Sequence, residues 1–385
     1  MGVGVDAMKL VELFCGTGGF SRGAHAAGFE VAAAYDIDPT LTSSFPTNFP
    51  NTKLFLRDVG KLTGPQIKAD IGQDAFGLFG GPPCQGFSDI GLRKATDPRR
   101  QLLGHFFRIA AELQPAFFIM ENVRGLAYTD ALPVLEAALE IVAPDYAIAG
   151  PKILNAADFG AATNRHRMFV VGIRKDLERS FDWEALESFK KPAATVADAL
   201  ADLEGAVALK PGADLGEFDR WRIVRRGAPR AYVKPLRSAD REFTGNQITT
   251  HTAPVVARFA RVRPGEMDKV GRHPRLDPLG QCPTLRAGTG VDRGSFQSVR
   301  PIHPTQNRVI TVREAARLQG FPDWHLFHPT IWHSFRMIGN SVSPIMSEAI
   351  FLAVRSCLGS AAGNNVESDQ AEFEHAGGEM QLAAE

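Results

Sequence analysis

Three side chains of this sequence sit where chemistry is easier to account for than packing. Cys84 lies in Gly81-Pro82-Pro83-Cys84-Gln85-Gly86-Phe87-Ser88, after two stiffening prolines and before a glycine that releases the chain. A cysteine is most often a small buried hydrophobe. Held at a strand end, its thiolate would be a nucleophile whose strength follows its local pKa. Glu121 follows the apolar run Phe117–Met120 in Glu121-Asn122-Val123. A carboxyl at the mouth of a buried strand has its pKa raised by desolvation and can give or take a proton. A solvated helix cap would look the same in sequence. Arg165-His166-Arg167 precedes another apolar run and can aim guanidiniums at the same edge. Each feature is ordinary alone; the three together are not.

A second constellation concerns a ligand. Cys15-Gly16-Thr17-Gly18-Gly19 is a Gly-rich turn after an apolar strand, able to approach a ligand closely. The Lys-Ser/Thr of a phosphate-binding loop is missing, and a dinucleotide fingerprint needs glycine where Ser21 stands. Asp36, at the end of the next strand, is placed to accept hydrogen bonds from ribose hydroxyls. A nucleoside cofactor without a pyrophosphate fits this pattern, and a merely structural turn is the alternative.

These residues need strands to hold them. Lys9–Phe14, Glu30–Tyr35, Ala75–Phe79, Ala116–Met120 and Arg167–Ile173 read as apolar strands, with helices reaching about Ala27 and over about Arg99–Leu113. Strands alternating with helices predict an α/β fold with a doubly wound parallel sheet, whose ligands bind beyond the strands' carboxyl ends. From about Asp176 to Arg308 proline and glycine are frequent and helical periodicity is scarce, which predicts a second, irregular domain. Helical stretches resume at Val312–Gln319 and Val342–Leu358, and the polar, acidic tail after Gly359 reads as disordered.

Composition bounds the rest. The chain has 385 residues, 44% hydrophobic and 22% charged, which excludes a mainly disordered chain, a coiled coil or a collagen-like repeat. Its 4 cysteines are too sparse for a disulfide framework and show no metal-ligand spacing, so a reducing compartment and no metal are expected. No signal peptide is read at the N-terminus, and the apolar runs fall short of a membrane span. The 43 basic and 43 acidic residues cancel, but unevenly. Residues 220–308 hold 16 Arg and 2 Lys against 6 acids, whereas residues 360–385 hold 6 acids and no Lys or Arg. An Arg-rich segment with Arg-Trp-Arg at its start favours a nucleic-acid partner over a solvated basic face.

With those residues in view, the sequence resembles the DNA (cytosine-5)-methyltransferase family, bacterial modification enzymes that use S-adenosylmethionine. The similarity runs from Leu10 to about Leu358 with motifs in family order. Glu12 to Phe20 resembles the cofactor-binding first motif, Gly81 to Ser88 the nucleophile loop, and Glu121-Asn122-Val123 the acidic motif. Phe159-Gly160 through Arg165-His166-Arg167 is similar to the Gln-x-Arg-x-Arg motif, Thr311 to Pro322 to the ninth, and Ile338-Gly339-Asn340-Ser341-Val342 to the tenth. Thr163 and Met337 depart from it, each standing where the family has Gln.

The resemblance implies a Rossmann-like methyltransferase domain (1–175), a basic target-recognition domain (176–308), C-terminal motifs returning to the catalytic domain (309–359) and an acidic tail (360–385). It implies that Cys84 attacks C6 of cytosine, that Glu121 protonates or hydrogen-bonds N3, and that Arg165 binds the ring carbonyl. Phe14, Gly16, Gly18, Asp36, Asp58, Pro83, Leu102, Asn340 and Ser341 would form the S-adenosylmethionine shell, and Gln85, Ser88 and Arg167 would touch DNA. The expected setting is a bacterial cytoplasmic, nucleoid-associated monomer acting on double-stranded DNA, with no membrane and with room for a cognate restriction endonuclease on the same site. The competing readings are a tRNA cytosine-5 methyltransferase on the same scaffold, a non-catalytic DNA-binding module and, more remotely, a cysteine hydrolase.

Overall fold

The computed structural model describes residues 8–83, 101–128, 131–210, 217–225, 227–287 and 299–359. Eight strands build the part that carries the candidate residues: β1 (Lys9–Leu13), β2 (Glu30–Asp36), β3 (Lys53–Leu56), β4 (Gly77–Gly80), β5 (Phe117–Val123), β6 (Tyr146–Asn155), β7 (Thr163–Asn164) and β8 (His166–Arg174). All but β7 form one seven-stranded sheet in the order β3-β2-β1-β4-β5-β8-β6. From β3 to β5 every neighbouring pair is parallel.

The expectation of a parallel sheet stops there. β8 runs antiparallel to both β5 and β6. An apolar run buried on both faces looks alike in either direction, so its sense was not legible. The reversal matters for function. It brings the start of β8, where Arg165 and Arg167 lie, to the edge where β1, β4 and β5 end.

The sheet is covered on both faces. In β5, Phe118 and Met120 join Val11, Leu13 and Leu78 in one core, whereas Phe117 and Ile119 join Leu10 and Phe79 in the other. Helices α1 (Gly19–Ala26), α2 (Phe45–Asn48), α3 (Gly64–Ile71), α4 (Gln101–Leu113) and α5 (Leu132–Leu139) follow in chain order. Leu103, Phe106 and Phe107 of α4 and Leu135 of α5 fill the first core. Phe20 and Ala24 of α1 fill the second.

Among the described residues that follow, four two-residue strands, β9 (Val207–Ala208), β10 (Trp221–Arg222), β11 (Glu242–Phe243) and β12 (Cys282–Pro283, paired with β7), lie among irregular segments and the helices α6 (Val196–Leu200), α7 (Ala253–Phe259), α8 (Val312–Gln319), α9 (Ile331–Asn340) and α10 (Pro344–Leu358). Helix α8 is bounded as the sequence suggests, by a Thr311/Glu314 capping box and by Gly320 in a left-handed conformation. Its apolar residues pack with Ala199, Leu200, Phe243 and Leu285 in a third core. Phe181 and Leu186, by contrast, pack on the sheet with Ile350 and Phe351 of α10. Packing therefore crosses both borders expected at residues 175 and 308.

The stretch Ile331–Leu358 is long and apolar enough to span a membrane by length and composition alone, although its unbroken apolar runs are short. It is two helices, α9 and α10, and 78% of its most apolar window is buried inside the protein. Core packing accounts for its composition.

Candidate active site

The ligand edge is built by the loops leaving β1, β2 and β4 together with the segment between α9 and α10. Phe14 follows β1 with φ 59°, an unusual left-handed backbone for an aromatic residue, and Gly18 follows with φ 84°. Asp36 ends β2 and ties this turn down: Oδ2 accepts from the Gly16 amide at 2.9 Å, and Oδ1 accepts from the amides of Ile37 and Asp38 at 2.7 and 2.9 Å. Burial pushes the Asp36 carboxyl above its ordinary value, and these three amides oppose the shift. Beside it Ile37 is 67% exposed, a large apolar side chain at the ligand edge for which the sequence offered no signal. A Cβ on Gly19 would lie 1.9 Å from Ser341 Oγ, so the first and last cofactor motifs are in contact.

The remaining residues expected in the shell sit in other loops and helices. Asp58 accepts from the Gly60 amide at 2.9 Å, and Leu102 is half-buried at the start of α4. Pro83 is half-buried and Asn340 is exposed at the end of α9. Glu12, inside the first motif, is buried against the Ser21 hydroxyl, which donates to it. Burial raises its carboxyl well above the ordinary range.

The second group gathers on β5 and β8. Glu121 is 7% exposed, and its Oε1 lies 2.9 Å from Arg167 Nε. The register explains the pair: Glu121 sits opposite Phe169, so Arg167, two residues earlier, lies diagonally on the same face. Burial raises the Glu121 carboxyl, and the two arginines, Arg167 first, pull against that rise. A Cβ on Gly81 would come within 2.6 Å of Glu121 Oε2, so only glycine leaves the carboxyl room there. Asn122 Nδ2 donates to the Pro82 carbonyl at 3.1 Å and so fastens the chain just ahead of Cys84.

Cys84, Gln85 and Ser88 lie outside the described residues. Among the described cysteines, Cys15 and Cys282 are buried, with thiols pushed up chiefly by desolvation. Neither has the environment of a thiolate.

Arg165 is near enough to act on the Glu121 carboxyl, but its hydrogen bonds go elsewhere. It is fully buried and spends its guanidinium on backbone carbonyls: Nη1 donates to Leu285 at 3.0 Å, and Nη2 to Gly339 at 2.7 Å and Ser341 at 2.5 Å. The guanidinium beside Glu121 is that of Arg167, which had been expected to touch DNA. Sequence alone could not separate two arginines one residue apart, because the choice depends on strand register. The Thr163 hydroxyl, at the departure from the family motif, donates to the Cys282 carbonyl at 3.0 Å, and Met337 is buried in the third core.

The basic segment is less free than its count suggests. Arg222 pairs with Glu242, Arg230 with Asp198, Arg258 with Asp268 and Arg308 with Glu314. Arg275 is buried, donating to the carbonyls of Phe259 and His303. Arg241, Arg261, Arg272 and Arg286 are exposed and form no ion pair among the described residues.

A seven-stranded mixed sheet with helices on both faces, an acid ending β2 and a glycine turn after β1 define a Rossmann-like α/β methyltransferase fold. Comparison with known proteins names the family. The model for C-5 cytosine-specific DNA methylases matches residues 8–356. The type II methyltransferase M.XorII of Xanthomonas oryzae pv. oryzae is 40% identical over 366 residues, covering 88% of this chain and 82% of that protein. M.DdeI of Desulfomicrobium norvegicum is 30% identical over 89% of this chain and 87% of its own. Among solved structures, a DNA modification methyltransferase encoded within an E. coli prophage superposes with a TM-score of 0.78 at 37% identity, covering 91% of this chain and 99% of that one. The S. pombe Dnmt2 methyltransferase shares the fold, with a TM-score of 0.61 at 17% identity over 91% of this chain and 99% of its own. The chain belongs to the C-5 cytosine-specific DNA methylase family and is a DNA cytosine methyltransferase.

Proposed function

We propose that this protein transfers a methyl group from S-adenosylmethionine to C5 of a cytosine swung out of duplex DNA, through a covalent bond between Cys84 and C6. The observation that carries the reading is the buried Glu121 carboxyl, paired to Arg167 and resting against Gly81 in the strand exit that leads to Cys84. The cofactor fits the neighbouring residues. Asp36 offers a carboxylate to ribose hydroxyls, Ile37 offers an exposed apolar face to a purine ring, and no lysine awaits a phosphate. When bound, S-adenosylmethionine supplies an electrophilic methyl group on a sulfonium.

Cytosine C5 is a weak nucleophile because the ring is aromatic. Addition of the Cys84 thiolate to C6 turns C4–C5 into an enamine, which can take the methyl group at C5. Glu121, its proton affinity raised by burial, donates to N3 as the thiolate adds, so that negative charge does not accumulate on the ring. Arg167 holds the carboxyl in one orientation and places a guanidinium within reach of the ring carbonyl, the role first expected of Arg165. Loss of the C5 proton to a base then re-forms the double bond, and the C6–S bond breaks to return the thiolate. A stacked base cannot reach such an edge, so it must leave the helix, at a cost of a few kcal/mol.

The irregular segment 176–308 would grip the target, with Gln85 and Ser88 on the flipped strand. Relatives named as type II methyltransferases support a modification role in a bacterial cytoplasm, with an endonuclease of the same specificity as partner. The test is capture on duplex DNA containing 5-fluorocytosine, which blocks the final proton loss. Wild type with cofactor should form a denaturation-resistant adduct, and Cys84→Ala should form none. Parallel transfer of labelled methyl to DNA and to tRNA decides the substrate; label in tRNA alone would overturn the reading.

A further inference from the structure

Arg165 stands at a junction of three chain segments. It enters from the loop before β8, and its guanidinium reaches Leu285 on one side and both Gly339 and Ser341 on the other. Leu285 lies just ahead of residues 288–298, within the Arg-rich segment proposed to grip DNA. Gly339 and Ser341 belong to the segment that touches the cofactor turn at Gly19. A guanidinium presents five donors in a rigid fork, so one side chain can bind three carbonyls that diverge in direction; an ammonium cannot match that geometry.

Three further contacts seal the same joint independently. A Cβ on Gly339 would stand 2.3 Å from the Ala287 amide nitrogen and 2.4 Å from the Arg286 carbonyl carbon, so the two backbones touch directly. On the opposite side, Thr163 Oγ1 donates to the Cys282 carbonyl at 3.0 Å, and Thr284 Oγ1 to the Asn164 carbonyl at 2.6 Å. The segment 282–287 is thus pinned to the loop carrying Arg165 and, through Arg165, to the cofactor edge.

We infer that Arg165 is a positioning residue that couples occupation of the cofactor site to the grip on target DNA, by clamping Leu285 to Gly339 and Ser341. The inference rests on the proposed cofactor only for the choice of ligand. A cofactor that holds Ser341 must hold Leu285 with it, and DNA bound at Arg286, the exposed arginine next to Leu285, must, by reciprocity, tighten the cofactor site.

The experiment uses S-adenosylhomocysteine and a cognate or methylatable duplex, so no turnover is needed. In the wild type, S-adenosylhomocysteine alone should slow amide hydrogen exchange at Leu285–Ala287 as well as at Gly339–Ser341. It should also tighten DNA binding by about tenfold, within the usual range of coupling between sites. Arg165→Lys should bring that factor to near unity while leaving capture on 5-fluorocytosine intact once DNA is saturating. Gly339→Ala, which attacks the joint from its other side, should do the same. Protection confined to Gly339–Ser341 in the wild type overturns the inference even if neither variant folds. So does an undiminished coupling factor in Arg165→Lys. Loss of adduct at saturating DNA with coupling retained would return Arg165 to the base. A wild type that binds no S-adenosylhomocysteine overturns the cofactor reading itself, and is distinguishable from binding without coupling.

Discussion

Glu121 and Arg167 form a buried ion pair whose value to the protein is chemical. A buried pair gives little net stability, because desolvation offsets most of the attraction. Removing one partner leaves the other charge stranded. Glu121→Gln retains an acceptor for Arg167 but cannot deliver a proton to the ring, and should lower kcat by about 10²- to 10⁴-fold, the usual worth of a positioned general acid. The melting temperature should fall as well, because the amide still accepts a hydrogen bond but leaves the buried Arg167 cation without its counter-charge. Arg167→Met makes the opposite mistake: it removes the cation that offsets the desolvation of Glu121 and so raises the carboxyl further. That variant should lose both stability and rate, and its activity should persist to higher pH than that of wild type, because the carboxyl stays protonated longer. A pH profile of single-turnover methylation checks the sign; a loss of activity at lower pH than wild type would contradict it.

At the scale of elements, much of the site was legible because its parts sit at ends of strands that hydrophobic runs announce. The ends of β1, β2, β4 and β5 deliver the Gly turn, Asp36, the Pro-Pro segment and Glu121 as read from sequence. Two strands of the seven-stranded sheet were missed. β3 is a short edge strand, exposed or half-buried throughout, and β6 is interrupted at Gly150-Pro151 and exposed from Gly150 to Ile153; neither shows a clean run or alternation. The sense of β8 and the register that picks Arg167 over Arg165 are tertiary facts, invisible to periodicity.

A third hidden feature links the Gly turn to the segment after α8. His325 is fully buried, its Nε2 3.3 Å from Thr17 Oγ1 and its Nδ1 3.2 Å from Arg22 Nη2, which lets that nitrogen only accept. Burial, reinforced by Arg22 and Arg313, holds this imidazole neutral far below its ordinary range. Burial and Arg22 likewise push His25, stacked on Phe49, down to about 4. The unfolded chain takes up these protons near pH 6.5, before the folded protein does. Stability from both histidines is therefore complete above about pH 6.5 and is lost as pH falls toward their folded values. The urea midpoint should fall between pH 6.5 and 4.5, and His325→Asn should shallow that slope; parallel slopes would remove His325 as a cause.

For the whole molecule, charge counted along the chain and charge presented in space are different quantities. Residues 220–308 carry 18 basic residues against 6 acids, yet several of those arginines are paired to acids that lie outside the segment, such as Asp198 and Glu314. Arg275 faces inward onto carbonyls. The charge available to DNA is that of exposed residues such as Arg241, Arg261, Arg272 and Arg286, and it is smaller than the local surplus. This separates two classes of variant. Arg261→Ala and Arg272→Ala, if each touches a phosphate, should each reduce the slope of log affinity against log salt by about 0.9, with melting unchanged. Arg275→Ala should lower the melting temperature through its orphaned carbonyls and change the slope less. The acidic stretch 360–385 enters the same balance with 6 negative charges and no positive ones. Its removal should strengthen binding to non-specific DNA at low salt, and the gain should vanish as salt screens charges beyond about 10 Å at 0.1 M. Equal affinities for intact and truncated protein across the salt series would show that these charges lie outside the field that DNA meets.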